Sequence, residues 1–117
     1  MKVAVIGSRT LWIDDLSPFL PANTTEIISG GAKGIDSSAR LYALRHQIPL
    51  TEYLPDYQKY GRRAPLIRNI DIIRRADLVL AFWDGRSTGT VHVIRKCRET
   101  GVPYRVFMQK TSPSPAR

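Results

Sequence analysis

Three short stretches carry residue types suited to holding a phosphorylated or sugar-bearing ligand. The first is Gly7-Ser8-Arg9. Its glycine permits a tight chain exit, its serine offers a hydroxyl, and its arginine can fork onto a carboxylate or phosphate. An ordinary turn would use the same tripeptide. The second is Ser29-Gly30-Gly31-Ala32-Lys33-Gly34-Ile35-Asp36. Three glycines and an alanine let the backbone approach a ligand closely, the free amides of a following helix favour an anion, and Lys33 adds a point charge. Asp36 falls in the first turn of that helix, where it either complements the helix dipole or holds a ribose hydroxyl. The third is Trp83-Asp84-Gly85-Arg86-Ser87-Thr88-Gly89-Thr90, with three hydroxyls ahead of another helix. Neither glycine loop has the Gly-x-Gly-x-x-Gly or Gly-x-x-x-x-Gly-Lys-Ser/Thr spacing, so a dinucleotide oxidoreductase and an ATPase are not read. No metal site and no cofactor are expected.

Between the loops lies Arg68-Asn69. Arg68 is placed to reach a ligand phosphate and Asn69 to fix a turn, unless both simply face solvent. The candidate ligand-binding set is therefore Gly7, Ser8, Arg9, Gly30, Gly31, Ala32, Lys33, Gly34, Asp36, Arg68, Asn69, Asp84, Gly85, Ser87, Thr88, Gly89 and Thr90. A Gly31→Glu change is expected to block that cleft. No catalytic residue is assigned: His92 has no partner identifiable by spacing, and Cys97, at helical spacing from Val93, reads as core. Trp83, Tyr53, Tyr57 and Tyr60 are placed to stack on bases, or equally to pack as a lid or a contact between copies.

These loops need elements to hold them. Apolar runs over 2–6, 26–29, 50–54, 77–83 and 103–108 read as strands, the fourth being the nearly unbroken Leu-Val-Leu-Ala-Phe-Trp. Helical spacing marks 34–46, with Ile35, Ala39, Tyr42 and Ala43 on one stripe. It also marks 64–75, with Ile67, Ile70, Ile73 and, at the margin, Leu66 inward, and 88–100, closed by Gly101. Leu11, Ile13, Leu16, Phe19 and Leu20 suggest a further short helix over 11–20, and 55–61 reads as a loop. Alternating strands and helices imply an α/β fold, a Rossmann-like doubly wound parallel sheet of about five strands in a single domain over residues 1–109. Residues 110–117, with two Ser-Pro steps, read as a disordered tail. In such a sheet the ligand site lies beyond the carboxyl ends of the strands, at the switch in strand order.

Length and composition agree. The chain has 117 residues, 43% hydrophobic and 24% charged, enough for one full core. A single cysteine excludes an internal disulfide framework and fits a reducing cytosol, and no membrane span or signal peptide is read, so a cytoplasmic location is expected. The formal net charge is +8. Residues 1–60 hold six basic and six acidic side chains; residues 61–117 hold twelve and four. The surplus, within residues 62–98 above all (Arg62, Arg63, Arg68, Arg74, Arg75, Arg95, Lys96, Arg98), suits an anionic partner or a solvated face.

Taken in order, Gly7-Ser8-Arg9, Ser29 to Asp36, Tyr60-Gly61, Arg68-Asn69, Ala76-Asp77 and Ser87-Thr88-Gly89-Thr90 resemble the SLOG superfamily. That Rossmann-like group holds DprA and the LOG phosphoribohydrolases. The resemblance covers about residues 2–108 and is closest to short stand-alone YspA-like members. It implies a cleft for nucleotides or nucleotide-derived molecules and frequent self-association, here a homo-dimer or tetramer. LOG-type hydrolases carry Gly-Gly-x-Gly-Thr-x-x-Glu in the second loop; here Gly89-Thr90 is followed by Val91-His92-Val93, without that glutamate. Three functions follow. The first is binding of a nucleotide-like small molecule between the two loops. The second is hydrolysis of a nucleotide N-glycosidic bond, with Asp36, Asp84 or His92 in place of the missing glutamate. The third is DprA-like binding of single-stranded nucleic acid through the basic second half.

Overall fold

A computed structural model describes residues 1–109; the expected tail at 110–117 lies outside the described residues. Five strands form one sheet: β1 (Lys2–Gly7), β2 (Glu26–Ser29), β3 (Leu50–Glu52), β4 (Leu78–Trp83) and β5 (Tyr104–Met108). Their spatial order is β3-β2-β1-β4-β5 and every neighbouring pair is parallel. The chain runs outward from β1 to β3 on one side, then returns to add β4 and β5 on the other. The switch in strand order therefore lies between β1 and β4, where Val3 pairs with Leu78 and Gly7 with Phe82. This is the doubly wound α/β architecture expected of the sequence.

The strands are apolar on both faces because both are covered. On one face Val3, Val5, Ile27, Leu80 and Phe82 pack against Ile35, Ala39, Tyr42 and Ala43 of α1 (Ile35–Arg45). All four expected residues of that stripe are buried. On the other face Ala4, Ile6, Ile28, Val79 and Ala81 meet Ile72 and Ile73 of α3 (Ala64–Arg75) and Val93 and Cys97 of α4 (Thr88–Thr100). Cys97 is wholly buried, and burial pushes its thiol up to about 11, so it is a core residue as expected.

Three expectations fail. No helix forms over 11–20. Pro18 cannot donate to a helical ladder, and polar side chains take two of the other amides. The Ser17 N–H donates to Asp15 Oδ1 at 2.9 Å, and the Ile13 N–H donates to Ser38 Oγ at 3.0 Å. The segment covers the sheet as irregular chain instead, with Leu11 and Leu16 fully buried and Phe19 edge-on to Phe82. Conversely, 55–61 is not all loop. Asp56 accepts the Lys59 N–H at 3.1 Å and so caps a single turn, α2 (Tyr57–Tyr60), followed by a 3-10 turn at Gly61–Arg63. In α3 the inward face is also rotated from expectation. Ile73 is buried, Ile67 and Ile70 only partly, Leu66 is exposed, and Asn69 occupies the interior.

Backbone crowding at the switch point governs two glycines. A Cβ on Gly7 would strike the Phe82 carbonyl and Ile35, and one on Gly34, at φ 72°, would lie 2.5 Å from the Arg9 carbonyl oxygen. Gly34→Ala therefore combines a disfavoured backbone with a clash against main chain. It is expected to lower unfolding stability by about 2–4 kcal/mol in urea melts. Leu16→Ala, which opens a cavity under the irregular segment, is expected to lower it by about 2–5 kcal/mol. A neutral Leu16→Ala would mean that this segment does not close the core.

Candidate functional site

Strand ends β1 and β4, the loop after β2, and the starts of α3 and α4 enclose a cleft of about 940 Å³. Its floor is apolar, from Ile6, Ile72 and Val93, with Pro65 and Leu66 at the lip. Its walls carry five arginines, Arg9, Arg62, Arg68, Arg86 and Arg95, against two carboxylates, Asp36 and Asp84. Of the residues singled out from sequence, Gly7, Arg9, Gly30, Ala32, Asp36, Arg68, Asn69, Asp84, Ser87, Thr88, Gly89 and Thr90 line it. Ser8, Gly31, Lys33, Gly34 and Gly85 do not.

Ser8 is placed to build the loops instead. Ser8 is 1% exposed. Its N–H donates to the Phe82 carbonyl at 3.0 Å, its carbonyl accepts from Ile35 at 3.4 Å, and its hydroxyl accepts the Asp84 N–H at 3.1 Å. One residue thereby ties β1 to the end of β4 and the start of α1. Lys33 is exposed. Gly31 faces the side chain of Leu54, so a glutamate there would strike Leu54 rather than enter the cleft. The expected Gly31→Glu block does not follow from this geometry.

The two carboxylates differ. Asp84 turns back on its own loop: Oδ1 accepts the N–H groups of Arg86 (2.8 Å) and Ser87 (2.9 Å), and Oδ2 accepts the Thr10 hydroxyl (2.7 Å). The Thr10 hydrogen bond, then the two amides, hold Asp84 well below the usual carboxylate range. An acid so fixed and ionised is a poor proton donor. Asp36 is 6% exposed; Oδ2 accepts the Ala32 N–H at 3.1 Å, and Oδ1 has no partner among the described residues. Burial raises its pKa, against the lowering pull of that amide and of Arg68.

The two helix starts differ as well. Asp36 sits in the first turn of α1 and supplies that end with its own negative charge. The start of α4 carries no acidic residue. Ser87 accepts the Thr90 N–H at 3.4 Å as N-cap, and the first amides, those of Thr88 and Gly89, have no helical carbonyl to meet. A Cβ at Gly89 would meet nothing within 4 Å among the described residues.

Arg68 is not a free phosphate hand. Its Nη1 donates to the Gly30 carbonyl at 2.6 Å and to the Tyr53 carbonyl at 3.3 Å, and its Nε donates to Asn69 Oδ1 at 3.0 Å. A Cβ on Gly30 would lie 2.5 Å from that Nη1. Asn69 fixes no turn; its amide meets His92 Nδ1 at 3.3 Å. Thus Arg68 orders the loop after β2 while one edge of its guanidinium lines the cleft. The polar cleft residues outside the candidate ligand-binding set are Thr10, Arg62, Arg86, His92 and Arg95; His92 was expected only as a stand-in for the absent glutamate, and Arg62 and Arg95 only as part of the basic surplus. Thr88, His92 and Arg95, spaced four and three apart, share one face of α4, and that spacing was the available signal.

The chain is 34% identical over 123 aligned positions to the Gene 61 protein of Mycobacterium phage D29, with 93% of this chain and 98% of the relative covered. It belongs to the same family as that phage protein. No family model matches the chain, and no solved structure matches it.

The raised Asp36 has a stability consequence. Its charged form is disfavoured in the folded chain, so it destabilises above its raised pKa. That penalty fades as pH falls through the raised value and is gone below the ordinary value of about 4. Asp36→Asn keeps an acceptor for Ala32. It is expected to be more stable than the wild type at pH 7, with an advantage that shrinks on acidification in urea melts taken across pH. An advantage that grew in acid would refute burial as the cause.

Proposed function

We propose that this member of the phage Gene 61 protein family binds a nucleotide or nucleotide-derived anion in the cleft at the switch between β1 and β4. The observation that carries the reading is the charge around that cleft. Five arginines surround an apolar floor, one of its two carboxylates is turned into its own loop, and the other is buried. The volume, about 940 Å³, lies at the upper end of the range of small-molecule pockets, about 300–1,000 Å³. In this reading the open amides of Thr88 and Gly89 take a phosphate, and Ile6, Ile72 and Val93 lie under the base or sugar.

The basic residues outside the cleft favour a small ligand over a nucleic-acid strand. Arg75 is paired with Glu26 at 2.8 Å, Lys96 with Glu99 at 3.3 Å, and Arg98 donates to the Tyr104 hydroxyl at 3.3 Å. Arg74 and Arg75 close α3 at the end opposite Arg62 and Arg68, away from the carboxyl edge of the sheet. The basic surplus outside the cleft is thus spread over the molecule rather than drawn into one track.

Thermal unfolding against a panel of nucleotides, ADP-ribose derivatives and a short single strand tests this, with each mixture then assayed for free base. A ligand at 100 times its dissociation constant stabilises by roughly 2.7 kcal/mol, several degrees for a domain of this size. Gly89→Glu separates binding from folding. It replaces a helical glycine and puts a carboxylate at a helix start, which together raise stability by about 1 kcal/mol. The same carboxylate repels an incoming phosphate, so the nucleotide shift is expected to disappear. A Gly89→Glu variant that kept the shift would sink the proposed site. Released base would instead make the protein an N-glycosidic hydrolase, and a shift with the single strand alone, lost in salt, would make it a nucleic-acid binder.

A further inference from the structure

Arg68, Asn69 and His92 form a chain of hydrogen bonds whose direction follows from their chemistry. Arginine has donors and no acceptor. Its Nε therefore donates to Asn69 at 3.0 Å, and the atom that receives it is the amide oxygen. This turns the Asn69 nitrogen toward His92 Nδ1, 3.3 Å away. An amide nitrogen only donates, so Nδ1 must accept through its lone pair. A neutral imidazole carries one proton, which then lies on Nε2. Asn69 and His92 are 7% and 8% exposed, so water competes little for these bonds. His92 lines the cleft, and its Nε2 has no partner among the described residues. Among the described residues the buried side-chain atoms without partners are Ser29 Oγ and Asp36 Oδ1; Nε2 is not one of them, so it is solvent-accessible on a residue that lines the cleft.

We propose that Arg68 and Asn69 are positioning residues that lock the His92 proton on Nε2, so that His92 offers the ligand a hydrogen-bond donor and holds no lone pair free to act as a base. The acceptor it meets is an oxygen of the nucleotide-like ligand, a sugar hydroxyl or a carbonyl; this part rests on reading the cleft as a ligand site. The lock resists disturbance at both ends. A proton on Nδ1 would set it against the Asn69 donor. Turning the amide over would set its nitrogen against Arg68 Nε. Burial, then the charges of Arg95 and Lys96 on the same helix, also disfavours the imidazolium, with Glu99 opposing. His92 is accordingly unsuited to replace the glutamate absent after Gly89-Thr90.

Long-range proton–nitrogen NMR of the labelled full chain at neutral pH tests the lock, with His46→Gln separating the two histidines. The His92 Nδ1 signal is expected to be that of an unprotonated ring nitrogen and the Nε2 signal that of a protonated one. In Asn69→Asp the carboxylate accepts, so the proton is expected to move onto Nδ1. In Asn69→Ala the preference is expected to relax to a mixture. A wild-type imidazole protonated at Nδ1, or an Asn69→Asp spectrum identical to the wild type, overturns the lock. AMP serves as the ligand probe. His92→Gln, whose amide nitrogen can stand near Nε2, is expected to bind AMP within about threefold of the wild type. His92→Phe is expected to bind about tenfold more weakly, the worth of one buried hydrogen bond. A His92→Phe variant with wild-type affinity overturns the donor role. If the wild type binds neither AMP nor any other nucleotide or ADP-ribose derivative of the panel while the spectrum is as expected, the nucleotide reading fails and the lock stands; the wrong tautomer sinks the lock whatever binds.

Discussion

Close backbone approach at the switch point is the constraint on which the rest of the structure depends. Gly7 sits against the Phe82 carbonyl, and Gly34 sits against the carbonyls of Ser8 and Arg9. Between them Ser8 bonds to the end of β4 and the start of α1 at once. No side chain fits in these gaps, so the three loops that leave the carboxyl edge meet as main chain. Their separation, and hence the cleft above them, is set by hydrogen-bond length rather than by side-chain packing. Interiors that close are not continuously deformable, which is why a single added methyl group is felt there.

Electrostatics then divides the two glycine loops. Each opens a helix, yet the start of α1 is filled by its own buried Asp36, while α4 starts without an acid. Asp84 is held by the loop it shapes, with both oxygens accepting from neighbours. The arginines at the cleft are thus opposed by few free negative charges. An anionic ligand would gain from such a surplus on entry.

Much of this was legible along the chain. The strands and α1, α3 and α4 were readable because apolar residues recur with strand or helical period and because glycine and proline punctuate their ends. The Leu11–Leu20 segment shows where this fails. Its apolar spacing is helical, but Pro18 and the acceptors Asp15 and Ser38 divert its amides, and only packing against Phe82 decides its path. In α2, Asp56 and Lys59 stand in capping register, a signal too local to weigh against the tyrosines and basic residues around it. In α3, counting apolar residues placed Ile67 and Ile70 inward, whereas Asn69 lies inside because His92 and Arg68 satisfy it.

By itself the sequence determined the α/β class, the doubly wound order and the three loops at one sheet edge. Those properties follow from period, punctuation and the handedness of crossovers, all of which act locally or apply to every chain. Only the tertiary structure decided which loop residues face the cleft. Lys33 and Gly31 turn away, Arg62, Arg86 and Arg95 turn in, and Arg68 reaches across to the Gly30 carbonyl. Asn69 and His92 are 23 residues apart in the chain and meet at 3.3 Å. Such pairings depend on the directions of side chains from elements distant in sequence, and no spacing rule along one chain encodes them.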